Sequence, residues 1–315
     1  MKRIIIAIVL ALMAVVASAS VPVTLSTDTG EIHGTLSVPD NASRTAVLII
    51  AGSGPTDRNG NSSVTGIATN AYKMLADSLA ARGYASLRYD KRGIAASVAA
   101  GADESQLTFE AYIDDAAAWV EWLAADERFD RVVLAGHSEG GLIALVAAKR
   151  SDKVVAVVTL AGVGESIDAT LRRQLGTQPE PEPYRSECMR IIDELKAGRT
   201  VSDPMPELAA LFRPSVQPFL ISQMRYEPSN EARTLSQPLL VVQGTTDIQI
   251  NLNDAIKLST VNPRTRLAII SEMNHVLKIC TSLDQQAQMM TYINDTLPLA
   301  PTLVATIVDF LSKLD

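Results

Sequence analysis

Aromatic side chains are scarce in this chain: Phe, Tyr and Trp together make up 4% of its 315 residues, although 47% of the residues are hydrophobic. The core must therefore be packed by Ala, Val, Leu and Ile. That balance suits a sheet covered by helices and excludes a disordered or fibrous chain. Histidine is scarcer still. With His33, His137 and His275 alone, and no Cys/His cluster at zinc spacing, neither a metal nor another cofactor is expected. The two cysteines, Cys188 and Cys280, leave two readings open: a disulfide in an oxidising compartment, or two separate buried thiols. Positive charge is in deficit, 28 Lys and Arg against 35 Asp and Glu, for a formal charge of −7. An acidic surface is a poor partner for phosphate backbones, which argues against nucleic-acid binding.

Long apolar runs are confined to the start of the chain. Lys2 and Arg3 precede the run from Ile4 to Val16, and Ala17-Ser18-Ala19 fits a small-residue cleavage site. The run is shorter than the roughly 20 residues a membrane span needs, and no Cys follows it to carry a lipid anchor. Residues 1–19 therefore read as a signal peptide. The mature chain is expected to be exported, to the periplasm or the medium, without stable membrane insertion. Removal of Lys2 and Arg3 would leave it more acidic still.

The rest has a rhythm. Val21 to Thr27 and Glu31 to Val38 read as a β-hairpin turning at Asp28-Thr29-Gly30. Thr45 to Ala51 is a continuous apolar run that ends in Gly52-Ser53-Gly54-Pro55, as a buried strand feeding a loop would. Helical periodicity covers Asn70 to Arg82, and Tyr84 to Tyr89 is the next strand. Thr108 caps a helix to Ala125, Arg131 to Ala135 is a strand, Glu139 to Lys149 a helix and Val154 to Ala161 a strand. Such alternation implies βαβ crossovers and a mostly parallel sheet. From 164 to 233 no buried strand appears, and prolines separate amphipathic stretches; this segment is expected to be a helical cap inserted into a core of 20–163 and 234–315. Strands return at Pro238 to Gln243 and Arg266 to Ile270, with helices near Asp254 to Ser259, Gln285 to Tyr292 and Leu303 to Leu314.

Gly136-His137-Ser138-Glu139-Gly140 matches G-x-S-x-G between a strand and a helix. The sharp turn required there strains the serine backbone and lifts its hydroxyl above the sheet, and the flanking glycines avoid collisions. A serine nucleophile needs a base, and the base needs an orienting carboxylate. His275 is the one histidine after Ser138. Asp247 lies between them, and both follow strands. Ser138, Asp247 and His275 are thus the candidate catalytic residues. The backbone N–H groups of Ser53 and Glu139 are the candidate oxyanion hole. His137 and the Glu139 side chain are read as structural. Asp90 and Arg92 are read as a loop brace, with Arg58 a brace or an anion contact.

These segments resemble the α/β-hydrolase superfamily. GHSEG resembles its nucleophile elbow, LRYDKRGIAAS its arginine loop, and VVQGTTDIQI and MNHVLK its acid and histidine segments. AGSGPTDRNGN is similar to the oxyanion loop of bacterial carboxylesterases grouped with serine aminopeptidase-like or prolyl-oligopeptidase-like hydrolases. Ala51 and Ala95 depart from the pattern, standing where many relatives have His and Gly. The resemblance implies the α/β-hydrolase fold, cleavage of a small-molecule ester through an acyl-serine without a cofactor, and a cap that shapes the substrate pocket. Two alternatives remain. A serine aminopeptidase would need carboxylates for a substrate amine, with Glu165, Glu180 and Glu182 as candidates. A non-catalytic binding protein could share the scaffold.

Overall fold

The computed structural model describes residues 18–177 and 182–314. The expected signal segment lies almost wholly outside them. The strands are β1 (Ser18–Thr27), β2 (Gly30–Pro39), β3 (Thr45–Ile50), β4 (Asn61–Ser62), β5 (Ile67–Ala68), β6 (Ala85–Tyr89), β7 (Arg131–His137), β8 (Val154–Leu160), β9 (Leu239–Gly244) and β10 (Thr265–Ile270). The helices of the first half are α1 (Ala71–Ala80), α2 (Phe109–Ala124) and α3 (Glu139–Ala147). Between β8 and β9 come α4 (Ile167–Thr177), α5 (Tyr184–Lys196), α6 (Ala209–Phe212), α7 (Gln217–Gln223) and α8 (Pro228–Arg233). The chain closes with α9 (Leu252–Thr260), α10 (Gln285–Tyr292) and α11 (Pro301–Leu311).

Eight strands form one sheet in the order β1-β2-β6-β3-β7-β8-β9-β10. The β1–β2 hairpin is antiparallel, as its turn residues predict, and β2 meets β6 antiparallel; the other neighbours are parallel. This is the α/β-hydrolase fold that the alternation of strands and helices anticipated. The central strands are buried on both faces, which is why they read as unbroken apolar runs. Along β3, Ala46, Leu48 and Ile50 join one core with Trp119, Ile143 and Leu239, while Val47 and Ile49 join a second core with Leu75, Leu303 and Ile307. Side chains alternate between faces with a period of two, so a single strand ties the two helix layers together. Leu48→Ala would cost about 2–5 kcal/mol by opening a cavity in the first core.

Topology makes the site. From β3 the chain runs to β6 on one side and then returns to β7 on the other. Loops leaving the carboxyl ends of β3 and β7 therefore diverge, and a crevice opens between them. Helices α4 to α7 build a small core of their own around Ile191, Ile192, Leu195 and Phe212, while Ala232 of α8 joins the first core of the sheet domain. They join the sheet domain where Phe219 packs on Phe109 and Tyr112, with ring centroids 5.9 and 5.1 Å apart. Neither cysteine is in a disulfide, and both are buried. Cys188 belongs to the core of the inserted helices and Cys280 follows β10.

Candidate active site

Ser138 sits between β7 and α3 at φ 53° and ψ −120°, a backbone conformation that L-residues rarely adopt. Such strain costs on the order of 1–3 kcal/mol and persists only where the surroundings enforce it. Here they do. A Cβ on Gly136 would lie 2.0 Å from the Gly140 carbonyl oxygen, and one on Gly140 would lie 2.4 Å from that of Ile50. The Ser138 N–H donates to Leu160 O at 2.9 Å, which pins the turn to the neighbouring strand.

The acid and histidine loops leave adjacent strands, β9 and β10. Gly244 packs so closely on the second loop that a Cβ there would lie 1.9 Å from Met273 O. The Thr245 and Thr246 N–H groups donate to Ile270 O and Met273 O. Asn274, fully buried, bonds Gln288 and Thr291 through its amide and accepts from the Lys278 N–H. So held, Asp247 Oδ2 lies 2.9 Å from His275 Nδ1 and accepts from Gln243 Nε2 at 3.1 Å. Its Oδ1 accepts from the Gln249 and Ile250 N–H groups at 2.8 and 2.9 Å. Burial works to raise the Asp247 pKa, but His275 and the two backbone donors outweigh it, and the carboxyl lies below its usual value. It is a carboxylate aimed at Nδ1, which leaves Nε2 of His275 as the nitrogen able to take a proton.

Ser138 and His275 line one cavity of about 170 Å³. No hydrogen bond joins them: among the described residues the Ser138 hydroxyl has no partner. Ser53 lines the same cavity. Neither its N–H nor that of Glu139 has an acceptor among the described residues, so both stay available for an incoming oxygen. Ile67, Thr69 and Tyr72 line the cavity on the oxyanion-loop side, with Gln249, Val276, Leu277 and Tyr292 from the acid and histidine loops and α10. No described residue of 164–233 lines it. The described part of the insertion thus touches a wall residue, Gln249, without itself lining the cavity. The inserted helices settle against α2, where Phe219 meets an aromatic platform, and they touch the site's surroundings through Gln174, whose Nε2 donates to Gln249 O at 3.2 Å, and through Gln223.

Gln223 Nε2 donates to Glu139 Oε2 at 3.1 Å. The other oxygen, Oε1, takes a 3.0 Å bond from Lys91 Nζ, which also donates to Gly52 O at 2.6 Å and lies over the Tyr112 ring. The Glu139 side chain thus anchors the residue that follows Ser138. Asp90 and Arg92 do not pair with each other. Asp90 accepts from the Arg58 N–H at 2.7 Å and pairs with its guanidinium at 2.9 Å, while Arg92 makes a two-pronged pair with Asp115. Arg58 is accordingly a brace between the loops that follow β3 and β6. Ala95, at φ 45°, occupies the left-handed region that a glycine would enter freely.

His137 has both nitrogens engaged. Nε2 bonds the His275 carbonyl oxygen at 2.8 Å and so carries the hydrogen; Nδ1 must accept from Tyr72 Oη, also at 2.8 Å. Tyr72 Oη in turn accepts from the Gly52 N–H at 3.1 Å. Burial, then the neighbouring His275, push the His137 pKa down to about 3. A directed relay of three hydrogen bonds thus joins the oxyanion loop to the histidine loop through a neutral ring. Lys91, Tyr72, Gln249 and Tyr292 were not identified from sequence. Tyr72 looks like one more apolar-stripe residue of a helix, and nothing local marks Lys91 as buried.

A sequence profile of the serine aminopeptidase S33 family matches residues 66–178, less than half of the chain, a stretch that includes Ser138 but neither Asp247 nor His275. No curated protein matches by sequence. Solved structures match over nearly the whole length. Est1E from Butyrivibrio proteoclasticus, determined with ferulic acid bound, is 15% identical with a TM-score of 0.59, covering 92% of this chain and 99% of its own. A thermophilic esterase from Thermogutta terrifontis, with malate bound, is 19% identical at 0.54, covering 94% and 99%. Mouse alpha/beta hydrolase domain-containing protein 10 is 16% identical at 0.56, covering 94% and 100%. At these identities the likeness is one of fold.

Proposed function

We propose that this chain, which has the α/β-hydrolase fold, is a serine carboxylesterase using Ser138, His275 and Asp247. The observation that carries the reading is the Asp247 carboxylate 2.9 Å from His275 Nδ1, beside a strained serine in the same cavity. The Ser138 hydroxyl turns onto His275 Nε2, loses its proton there and attacks the ester carbonyl. The Ser53 and Glu139 N–H groups hold the oxyanion. His275 passes the proton to the departing alcohol, leaving an acyl-serine. Water then gives a proton to Nε2, attacks the acyl carbon and releases the acid, and the proton returns to Ser138.

An aminopeptidase, the activity in the matching profile's name, would need a carboxylate for the substrate ammonium. Glu165 pairs instead with Arg173 and Lys257, and Glu182 bonds Ser186. Glu180 lies outside the described residues. Among the described residues no carboxylate side chain lines the cavity, which favours the ester reading. A fluorophosphonate probe tests it. Labelling of the wild type that is lost in Ser138→Ala, together with turnover of p-nitrophenyl esters above amino-acid anilides, is expected. Folded protein that is never labelled would instead favour a binding role. We also propose export, on residues 1–19 alone; a mature N-terminus at Ser20 by mass spectrometry is the expected result.

A further inference from the structure

We propose that one arm of the ester, acyl or alcohol, is short and uncharged, and that Gln249 and Tyr292 set its length. This rests on the esterase reading above. The cavity at Ser138 has a volume of about 170 Å³, below the roughly 300–1,000 Å³ common for ligand pockets. A comparable cavity of about 150 Å³ is known to hold benzene, so about six non-hydrogen atoms fit.

Its walls are fixed rather than yielding. On one side, Ile67 and Thr69 belong to the β4–β5 hairpin segment. Asn61 Oδ1 accepts from the Thr69 and Asn70 N–H groups, and Thr69 Oγ1 donates to Gly60 O at 2.6 Å. Arg58, just before the hairpin, is locked to Asp90. On the other side Gln249 Nε2 donates to Tyr292 Oη at 2.6 Å, a bond that ties the acid loop to α10. The Gln249 backbone is itself held by Asp247. A chain extending toward that side would have to part Gln249 from Tyr292. Among the described residues no Lys, Arg, Asp or Glu side chain lines the space, so a charged substituent would lose water without gaining a counter-ion.

No described residue of the inserted helices lines the cavity, and their Gln174 meets only the backbone oxygen of Gln249. Length selection is thus assigned to the turn after β9 and to α10.

The test is a substrate panel on the full-length protein. One series holds the alcohol as p-nitrophenol and lengthens the acyl chain from acetate to laurate; the other holds acetate and lengthens the alcohol. In one of the two, kcat/KM should fall at least about tenfold once the varied arm passes about six non-hydrogen atoms. In that same series Gln249→Ala, an exposed side chain whose loss leaves the fold intact, should raise the ratio of long to short substrates about fivefold or more, and Tyr292→Ala should raise it further. A monoester of a dicarboxylic acid should turn over at least about tenfold less efficiently than a neutral ester of equal length. Flat profiles in both series, or unchanged ratios in Gln249→Ala, overturn the assignment. Failure of the wild type to react with a fluorophosphonate would instead overturn the esterase reading itself, so the two failures are separable.

Discussion

Asp247→Asn probes the site with almost no change in shape. Asp247 has four neighbours that donate: the Gln249 and Ile250 N–H groups on Oδ1, and Gln243 Nε2 and His275 Nδ1 on Oδ2. An asparagine offers one oxygen and one NH2. Placing the oxygen on the two backbone donors keeps two bonds and turns the NH2 toward His275 and Gln243. The reverse placement sets an NH2 against two backbone N–H groups that cannot turn away. The first wins. Nδ1 then faces a donor and must accept, so the hydrogen moves to Nε2, and the ring can no longer take the Ser138 proton. Where this tautomer switch has been imposed on another serine hydrolase, kcat fell about 10⁴-fold, equivalent to about 5 kcal/mol of barrier. The displaced Gln243 donor adds a stability loss of about 1–3 kcal/mol, too little to unfold a domain of this size. The assay is kcat and KM on p-nitrophenyl acetate beside a urea melt. A folded variant with KM near wild type and kcat down by about three to four powers of ten is expected. A folded variant retaining a tenth of wild-type kcat would refute the reasoning.

Tyr72→Phe strands the Gly52 N–H and His137 Nδ1 together; about 2 kcal/mol should be lost in urea melts, and kcat should drop more than KM rises because Gly52 precedes the Ser53 amide. Lys91→Met leaves the buried Glu139 carboxylate with Gln223 alone, for a loss of about 3–5 kcal/mol; adding Glu139→Gln should restore much of it, and a double variant no better than the single would discount the ion pair. Lys278 is fully buried, and its Nζ lies against Met74 S and Leu297 O; burial lowers its pKa from 10.5 to about 8. Between those two values the unfolded chain holds the proton that the folded chain has released, so stability should rise as pH climbs through that window. The wild-type melting temperature should gain on that of Lys278→Met as pH goes from about 8 to about 10; parallel curves would contradict the shift.

What could be read from the sequence was set by short-range sterics. Gly136 and Gly140 announce the elbow because a Cβ at either would strike backbone within a few residues or on the adjoining strand. The proximity of Asp247 and His275 follows from a similar rule, since loops at the same end of neighbouring parallel strands must meet. The Lys91–Glu139 and Tyr72–His137 contacts join residues 48 and 65 positions apart. They depend on how α1 and the loop after β6 settle, which no local pattern encodes. The insertion illustrates the same boundary. Its helical character showed in its prolines and amphipathic spacing. Where it would lie was decided by Phe219 finding Phe109 and Tyr112, a match of surfaces that are each unremarkable alone.

Two imidazoles stand against each other above the sheet, with centroids 4.8 Å apart. Were both basic, protonating one would be opposed by the charge on the other, and the barrier to proton removal from Ser138 would rise. The fixed polarity of the bonds on His137 removes that conflict, because a ring that already accepts at one nitrogen and donates at the other has no seat for an extra proton. In the proposed reaction the proton taken from Ser138 would thus arrive beside an aromatic neighbour that remains electrically silent, with Asp247 as its counter-charge.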